Sequence, residues 1–342
     1  MNRRFQLPLF LGLLALCLIC ILASLLVGTE TLSIAQAWAE WRSGAPRYET
    51  PTLNILLNQR LPRTLAALIA GAGLSLAGCA FQALLRNPLA TPYTLGVASA
   101  GAFGAWAATV IGQGTGAMAS ILGFSFVQIA AFACASADVL VIFLLAARKR
   151  MSPSILLLTG VTLGMLANAG IMTMRYFARP DRLVMMDRWL MGGVDVLGYQ
   201  PVITLYVGVT PCLFILLAQA SQLDQLGFSR EMAVGRGVKI RRLQAVTFLV
   251  GSAMIAVIVS KVGPIGFVGL IVPHAIRGLT GSRHRVLMPL SAVAGGGFLC
   301  FCDIIARKLF PGETPLGIVT SLLGAPFFLY LLTRRRFTGW EG

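Results

Sequence analysis

Residues 60–85, RLPRTLAALIAGAGLSLAGCAFQALL, decide the fold. Beyond Arg63 the stretch carries no charge, and it is long enough to cross about 30 Å of hydrocarbon, which takes roughly 20 apolar residues. Similar runs recur along all 342 residues, 57% of which are hydrophobic and 12% charged. Soluble domains carry about 25% charged residues, and the mean hydropathy here is +0.81. An all-α polytopic membrane protein is expected, with no soluble domain appended.

Working outward, apolar runs between polar breaks predict about ten transmembrane helices. They cover 8–28, 60–85, 93–112, 121–147, 152–174, 199–220, 243–261, 265–281, 286–309 and 315–333. Pro273 is expected to interrupt the eighth. The opening MNRR and its apolar run reach about Val27, longer than the 7–15 residues of a signal-peptide core, so an uncleaved first span is expected. The chain reads as one transmembrane domain over 1–342. Residues 1–59 hold the first helix and an outer loop, 60–333 a core bundle, and 223–242 a cytoplasmic segment.

The net charge of +16 sits in short clusters between apolar runs, a pattern suited to lipid headgroups and partner proteins rather than nucleic acid. With both termini cytoplasmic, 17 of the 28 basic residues fall on the inner side and 11 on the outer. Arg60 and Arg63 are then on the side where positive charge is disfavoured. Snorkelling to headgroups is one reason for them.

Seven cysteines lie almost wholly inside apolar runs, including the pair in CLIC (17–20), and read as packing residues without a disulfide framework. His274 and His284 are too sparse for a metal site. The four lysines follow Arg, Val, Ser and Arg, so the Gly-Lys-Ser/Thr of a phosphate loop is absent and ATP must be handled elsewhere. Two carboxylates fall within spans. Asp303 precedes Arg307 by one helical turn and suits an ion pair. Asp138 is isolated and fits polar packing, a subunit contact or the proton site of an ion-coupled transporter. The segment Leu223–Arg242 is amphipathic and bounded by Gly227, Gly235 and Gly237. It predicts a short helix lying flat at the inner surface, with Met232 and Val234 offered to headgroups or to a partner.

RLPRTLAALIAGAGLSLAGCAFQALLRNPLATPYTLGV (60–97) resembles the permease subunits of ABC importers for iron-siderophores, haem and cobalamin, the FecCD or BtuC-like family. LLLTGVTLG (156–164), RWLMGG (188–193), GPIGFVGLIVPHAIRGLTGSRHR (263–285), LSAVAGGGFLCFCDIIAR (290–307) and TPLGIVTSLLGAPFFLYLL (314–332) follow in the family's order. Within the 263–285 block, Gly263, Gly266 and Gly269 with Pro264 are expected to break the helix and allow close packing.

The resemblance implies a BtuC-like permease fold in the bacterial cytoplasmic (inner) membrane, paired with an identical or paralogous permease. Two cytoplasmic ABC ATPases would hold the ATP and Mg, and a periplasmic binding protein would deliver a ferric chelate, haem or cobalamin. The subunit itself would be no enzyme and need no cofactor. Arginines matching Arg60, Arg63 and Arg307 would form an outer pocket for carboxylates of the binding protein, whose shape suits guanidinium forks. Asp303 would hold Arg307, and Pro62 would sit in a first helical turn. Within 223–242 the resemblance assigns ATPase coupling to Gly227, Arg230, Glu231, Ala233, Arg236 and Gly237. The family's Leu-Gly-Glu and Leu-Gly are here Phe228-Ser229-Arg230 and Arg236-Gly237. An inner gate would form at Asn87, Pro88 and Leu89 with Ser152 and Pro153, the proline departing from a hydroxylated residue.

Overall fold

The computed structural model describes residues 3–28, 32–44, 50–91, 93–111, 125–148, 152–308 and 313–333. Among them every regular element is helical. The order is α1 (Arg3–Leu26), α2 (Ile34–Ser43), α3 (Pro51–Ile55), a π-helical turn (Leu56–Arg60), α4 (Leu61–Leu85), α5 (Val97–Ile111), α6 (Phe126–Arg148) and α7 (Pro153–Phe177). Then come α8 (Pro180–Leu190), α9 (Gln200–Ala218), α10 (Ala220–Phe228), α11 (Arg230–Gly235), α12 (Ile240–Val262), α13 (Val268–Thr280), α14 (His284–Lys308) and α15 (Leu316–Thr333). Each expected span holds a helix. Six have the length and hydropathy to cross a membrane: Pro51–Leu85, Phe126–Ala146, Ser154–Phe177, Gln200–Ala218, Ile240–Val262 and His284–Lys308. The apolar stretches Phe10–Leu26, Val97–Ile111, Val268–Thr280 and Leu316–Tyr330 are shorter. Helices α2 and α8 lie outside the expected spans because they are amphipathic, which hydropathy passes over.

The second span corrects its expected start. Pro62 lies in the first turn of α4, but that turn is no free helix start, because the helix runs on continuously from Pro51. A proline inside a helix cannot donate to the carbonyl four residues back, here that of Asn58. The chain widens into the π-helical turn, where the Leu61 N–H reaches Leu56 O. The two released carbonyls are taken from outside. Gly198 N–H donates to Asn58 O at 3.0 Å, and the Tyr199 hydroxyl to Leu57 O at 2.8 Å.

Pro273 behaves the same way. It does not interrupt α13, and Gly269 O, which it leaves unbonded, accepts Gln82 Nε2 at 3.3 Å.

Helix α4 is the centre of the bundle, packed by α14, α13, α12 and α9. Small residues permit this. A Cβ on Gly71 would strike the backbone of Gly295, and one on Gly78 the backbone of Gly269. In lipid, where hydrophobicity does not separate helices from solvent, such close backbone approach is what holds them together.

Segment 223–242 is two helices rather than one. Gly227 lies inside α10, and Ser229 forms the break, its hydroxyl accepting the Met232 N–H at 3.0 Å as the N-cap of α11. The two ends of the bundle sort the polar residues consistently. Arg63, Arg307, Glu313 and Asp195 meet at one end, while Arg86 bonds Leu226 O and His284 bonds Asp224 at the other.

Candidate functional site

At the end that charge bias makes outer, Arg60, Arg63 and Arg307 line one cavity of about 370 Å³, with Arg188, Asp195 and Glu313 completing the wall. The three arginines converge from distant segments because the last turn of α14 packs beside the start of α4. They are not free. Arg63 Nε donates to Asp303 Oδ1 at 2.9 Å and its Nη1 to Glu313 Oε2 at 2.8 Å, with Asp195 Oδ1 at 3.8 Å. Arg307 Nη2 lies 2.8 Å from Asp303 Oδ2 and donates to Ser24 Oγ at 2.7 Å. Arg60 is buried and donates to the carbonyls of Leu25 and Leu26, at 3.1 and 2.7 Å, closing the end of α1.

Asp303 therefore holds Arg63 as well as Arg307. Glu313 is partly buried, which alone would raise its pKa. The Arg63 hydrogen bond and the charges of Arg63, Arg307 and Arg188 nonetheless hold its carboxyl below the usual carboxylate range. Four guanidinium groups against Asp195, Asp303 and Glu313 leave the basin one positive charge in excess. Arg188, whose side chain is 56% exposed, is the most accessible of them. The roles of Arg188, Asp195 and Glu313 are absent from the sequence reading. Arg188 opens the quoted RWLMGG, and Asp195 and Glu313 flank quoted motifs, but acidic loop residues look solvated until the fold brings an arginine to them.

A larger cavity of about 800 Å³ runs along the flank of the bundle, from Leu89 and Thr91 near the inner turn to Met191 and Pro264 near the outer end. Tyr93, Phe267, Leu270, Ile318, Leu322 and Phe328 make its wall apolar and aromatic. Of the expected gate residues Leu89 lines it, while Asn87, Pro88 and Ser152 lie outside the lining. The turn itself is well built. Arg86 ends α4 with φ +48°, Asn87 N–H returns to Gln82 O, and Asn87 Oδ1 accepts the Leu89 N–H at 2.9 Å. Ser152 caps α7 through its carbonyl, and its hydroxyl makes no cap bond.

At the inner end, α11 presents Met232 and Val234, 50% and 59% exposed, beside exposed Glu231 and Arg236. Ala233 is fully buried, so it anchors the helix rather than offering a contact, and Val238 N–H closes onto its carbonyl. Gly237, at φ +81°, turns the chain into α12. Helix α10 is pinned to the first turn of α14, where His284 N–H and Nδ1 meet Asp224 Oδ1 at 2.5 and 2.9 Å. Partial burial would raise the Asp224 pKa, but these bonds hold it below the usual range.

Asp138 on α6 is buried, with Oδ2 unbonded and no ion pair among the described residues. The same residues contain no cluster of three metal-ligating side chains.

A helical bundle with a cationic basin at one end, an apolar cavity along its flank and an exposed short helix at the other has the build of a transport permease. The model of the FecCD transport family matches residues 16–334, and the chain belongs to that family. It is 36% identical over 334 residues to the vitamin B12 import system permease BtuC of Salmonella paratyphi A, covering 94% of each chain. To the hemin transport system permease HmuU of Yersinia pestis it is 34% identical over 338 residues, covering 98% of each. A solved structure described as an inward-facing metal-chelate type ABC transporter superposes with TM-score 0.83 at 30% identity, over 95% of this chain and 98% of that one. The chain is an ABC importer permease subunit, a multi-pass membrane protein that transports rather than catalyses.

Proposed function

We propose that the chain is half of the membrane pathway of a binding-protein-dependent importer for a ferric chelate, with siderophore the favoured cargo and haem or cobalamin the alternatives. The observation that carries this reading is the 800 Å³ cavity. Its wall is apolar and aromatic with a few hydroxyls from Thr91, Thr94 and Ser321, and it offers no carboxylate or imidazole to a bare metal ion. Such a wall suits a metal already wrapped in an organic ligand. In this reading the subunit sits in the bacterial cytoplasmic (inner) membrane beside a second permease, identical or paralogous. The basin of Arg60, Arg63, Arg188 and Arg307 receives an acidic periplasmic binding protein, and α11 seats on one of two ABC ATPases that carry the ATP and Mg. The ion-coupled alternative on Asp138 has only that one unpaired carboxylate in its favour.

The test is reconstitution in vesicles with the ATPase and binding protein encoded by neighbouring genes, measuring ATP-driven uptake of a radiolabelled ferric siderophore, haem and cobalamin. Siderophore uptake is expected; haem or cobalamin uptake alone would reassign the cargo, and uptake independent of ATP would overturn the scheme. Within it, Arg188→Glu is expected to weaken binding-protein docking by on the order of tenfold, mainly through slower association that depends on salt, because Arg188 is an exposed rim charge. Docking measured at low and high salt checks this, and unchanged association would remove the basin from the interface.

Met232→Asp with Val234→Asp tests the inner end. Placing two carboxylates on an apolar contact is expected to lower ATPase association roughly tenfold or more. Pull-down of the ATPase by the purified variant reads it directly, and wild-type recovery would exclude α11 as the seat.

A further inference from the structure

We propose that a third cavity, at the inner ends of α9 and α12, is a binding site for an anionic phospholipid, with phosphatidylglycerol as its probe. The cavity is about 620 Å³ and is lined by Arg236, Lys239 and Arg242, with no carboxylate in its wall. None of the three cations has an ion pair among the described residues, and all three are exposed. By contrast, Arg86 and Arg285 at the same end donate to Leu226 O and Ser221 Oγ.

Two further features point to a phosphate with acyl chains attached. The cavity opens at the N-terminus of α12, a helix of 23 residues whose first-turn N–H groups and dipole favour an anion. The opposite wall, Ile215 and Val246, belongs to the membrane-spanning parts of α9 and α12 and continues toward the hydrocarbon.

A phospholipid headgroup meets all of these at once. Its phosphate lies on the cations, and its chains follow Ile215 and Val246. The wall is also preformed, since the Thr247 hydroxyl bonds Gln219 Oε1 and ties the α9–α10 joint to α12. A headgroup seated here braces α10 and the α11–α12 link, the two sides of the segment through which the Proposed function transmits force; lipid binding itself does not depend on that reading.

The purified subunit is examined by native mass spectrometry after incubation with phosphatidylglycerol, phosphatidic acid, phosphatidylcholine or inorganic phosphate. One phosphatidylglycerol is expected to be retained in clear preference to phosphatidylcholine. Lys239→Gln with Arg242→Gln is expected to lower that retention roughly tenfold, each cation near the surface contributing a share of the attraction. Phosphatidic acid, with the same phosphate and chains, is expected to be retained comparably. If the double variant does not fold, Lys239→Gln alone, at an exposed position, carries the test by a smaller loss. Equal retention of phosphatidylcholine, unchanged retention in the variants, or displacement by millimolar inorganic phosphate would overturn the site. Displacement of the lipid by added ATPase subunit would reassign the cavity to a protein contact.

Discussion

Asp303→Asn is expected to destabilise the folded subunit by about 3–5 kcal/mol, the range for breaking a buried ion pair from one side. The change is nearly isosteric, so packing is spared and the effect is electrostatic. Asp303 has no solvent exposure, and it bonds both Arg63 and Arg307, whose side chains are 13% and 4% exposed. Without the carboxylate, Arg307 keeps only neutral partners on Ser24 and its own helix. Arg63 keeps Glu313.

The test is the thermal midpoint of the subunit in detergent, compared with a second variant, Asp303→Asn with Arg307→Met. Removing the orphaned cation is expected to restore part of the loss, since an apolar replacement of a whole buried pair is close to neutral where breaking one partner is not. A wild-type midpoint for the single variant, or no recovery in the double, would show that the cluster is solvated. This also bears on the docking role. Any glutamate swap at Arg63 or Arg307 disturbs folding before it disturbs a partner, which makes Arg188 the informative probe of the basin.

What was legible in the sequence follows the range of each interaction. Apolar runs report on hydrocarbon locally, residue by residue, so the spans and the multi-block family pattern could be read directly. Arg307 opposite an acid one turn away was equally local. Glu313 on Arg63 was not, because the two are 250 positions apart and only the crossing of α14 and α4 joins them. Pro273 was misread for a related reason. It looks like a break when taken alone, yet the carbonyl it releases is bonded by Gln82 from another segment, as the one Pro62 releases is by Gly198. Gly227 carries the opposite lesson. It looked like a boundary and lies in the last turn of α10, still helical; the break itself is the capping hydroxyl of Ser229.

Glycine supplies the other large effect, and adding a side chain is expected to act with opposite signs at two positions. Gly78→Val is expected to cost at least about 3 kcal/mol, the upper part of the overpacking range, because what blocks the new side chain is backbone. A Cβ at Gly78 would meet Gly269 Cα at 2.6 Å, and Gly269 cannot retreat as a flexible side chain would. Moving α13 away would also stretch the Gln82 bond to Gly269 O that compensates Pro273. Helix α13 supplies Leu270 to the 800 Å³ cavity, so partial accommodation would reshape that cavity as well as lower the stability. Gly227→Ala is expected to gain up to about 1 kcal/mol from helix propensity alone, since no atom lies within 4 Å of the added Cβ. Both variants are read by yield of monodisperse protein and by thermal midpoint. A Gly78→Val subunit with the wild-type midpoint would mean that α4 and α13 are farther apart than the structure places them. The central helix would then no longer be held by backbone contact.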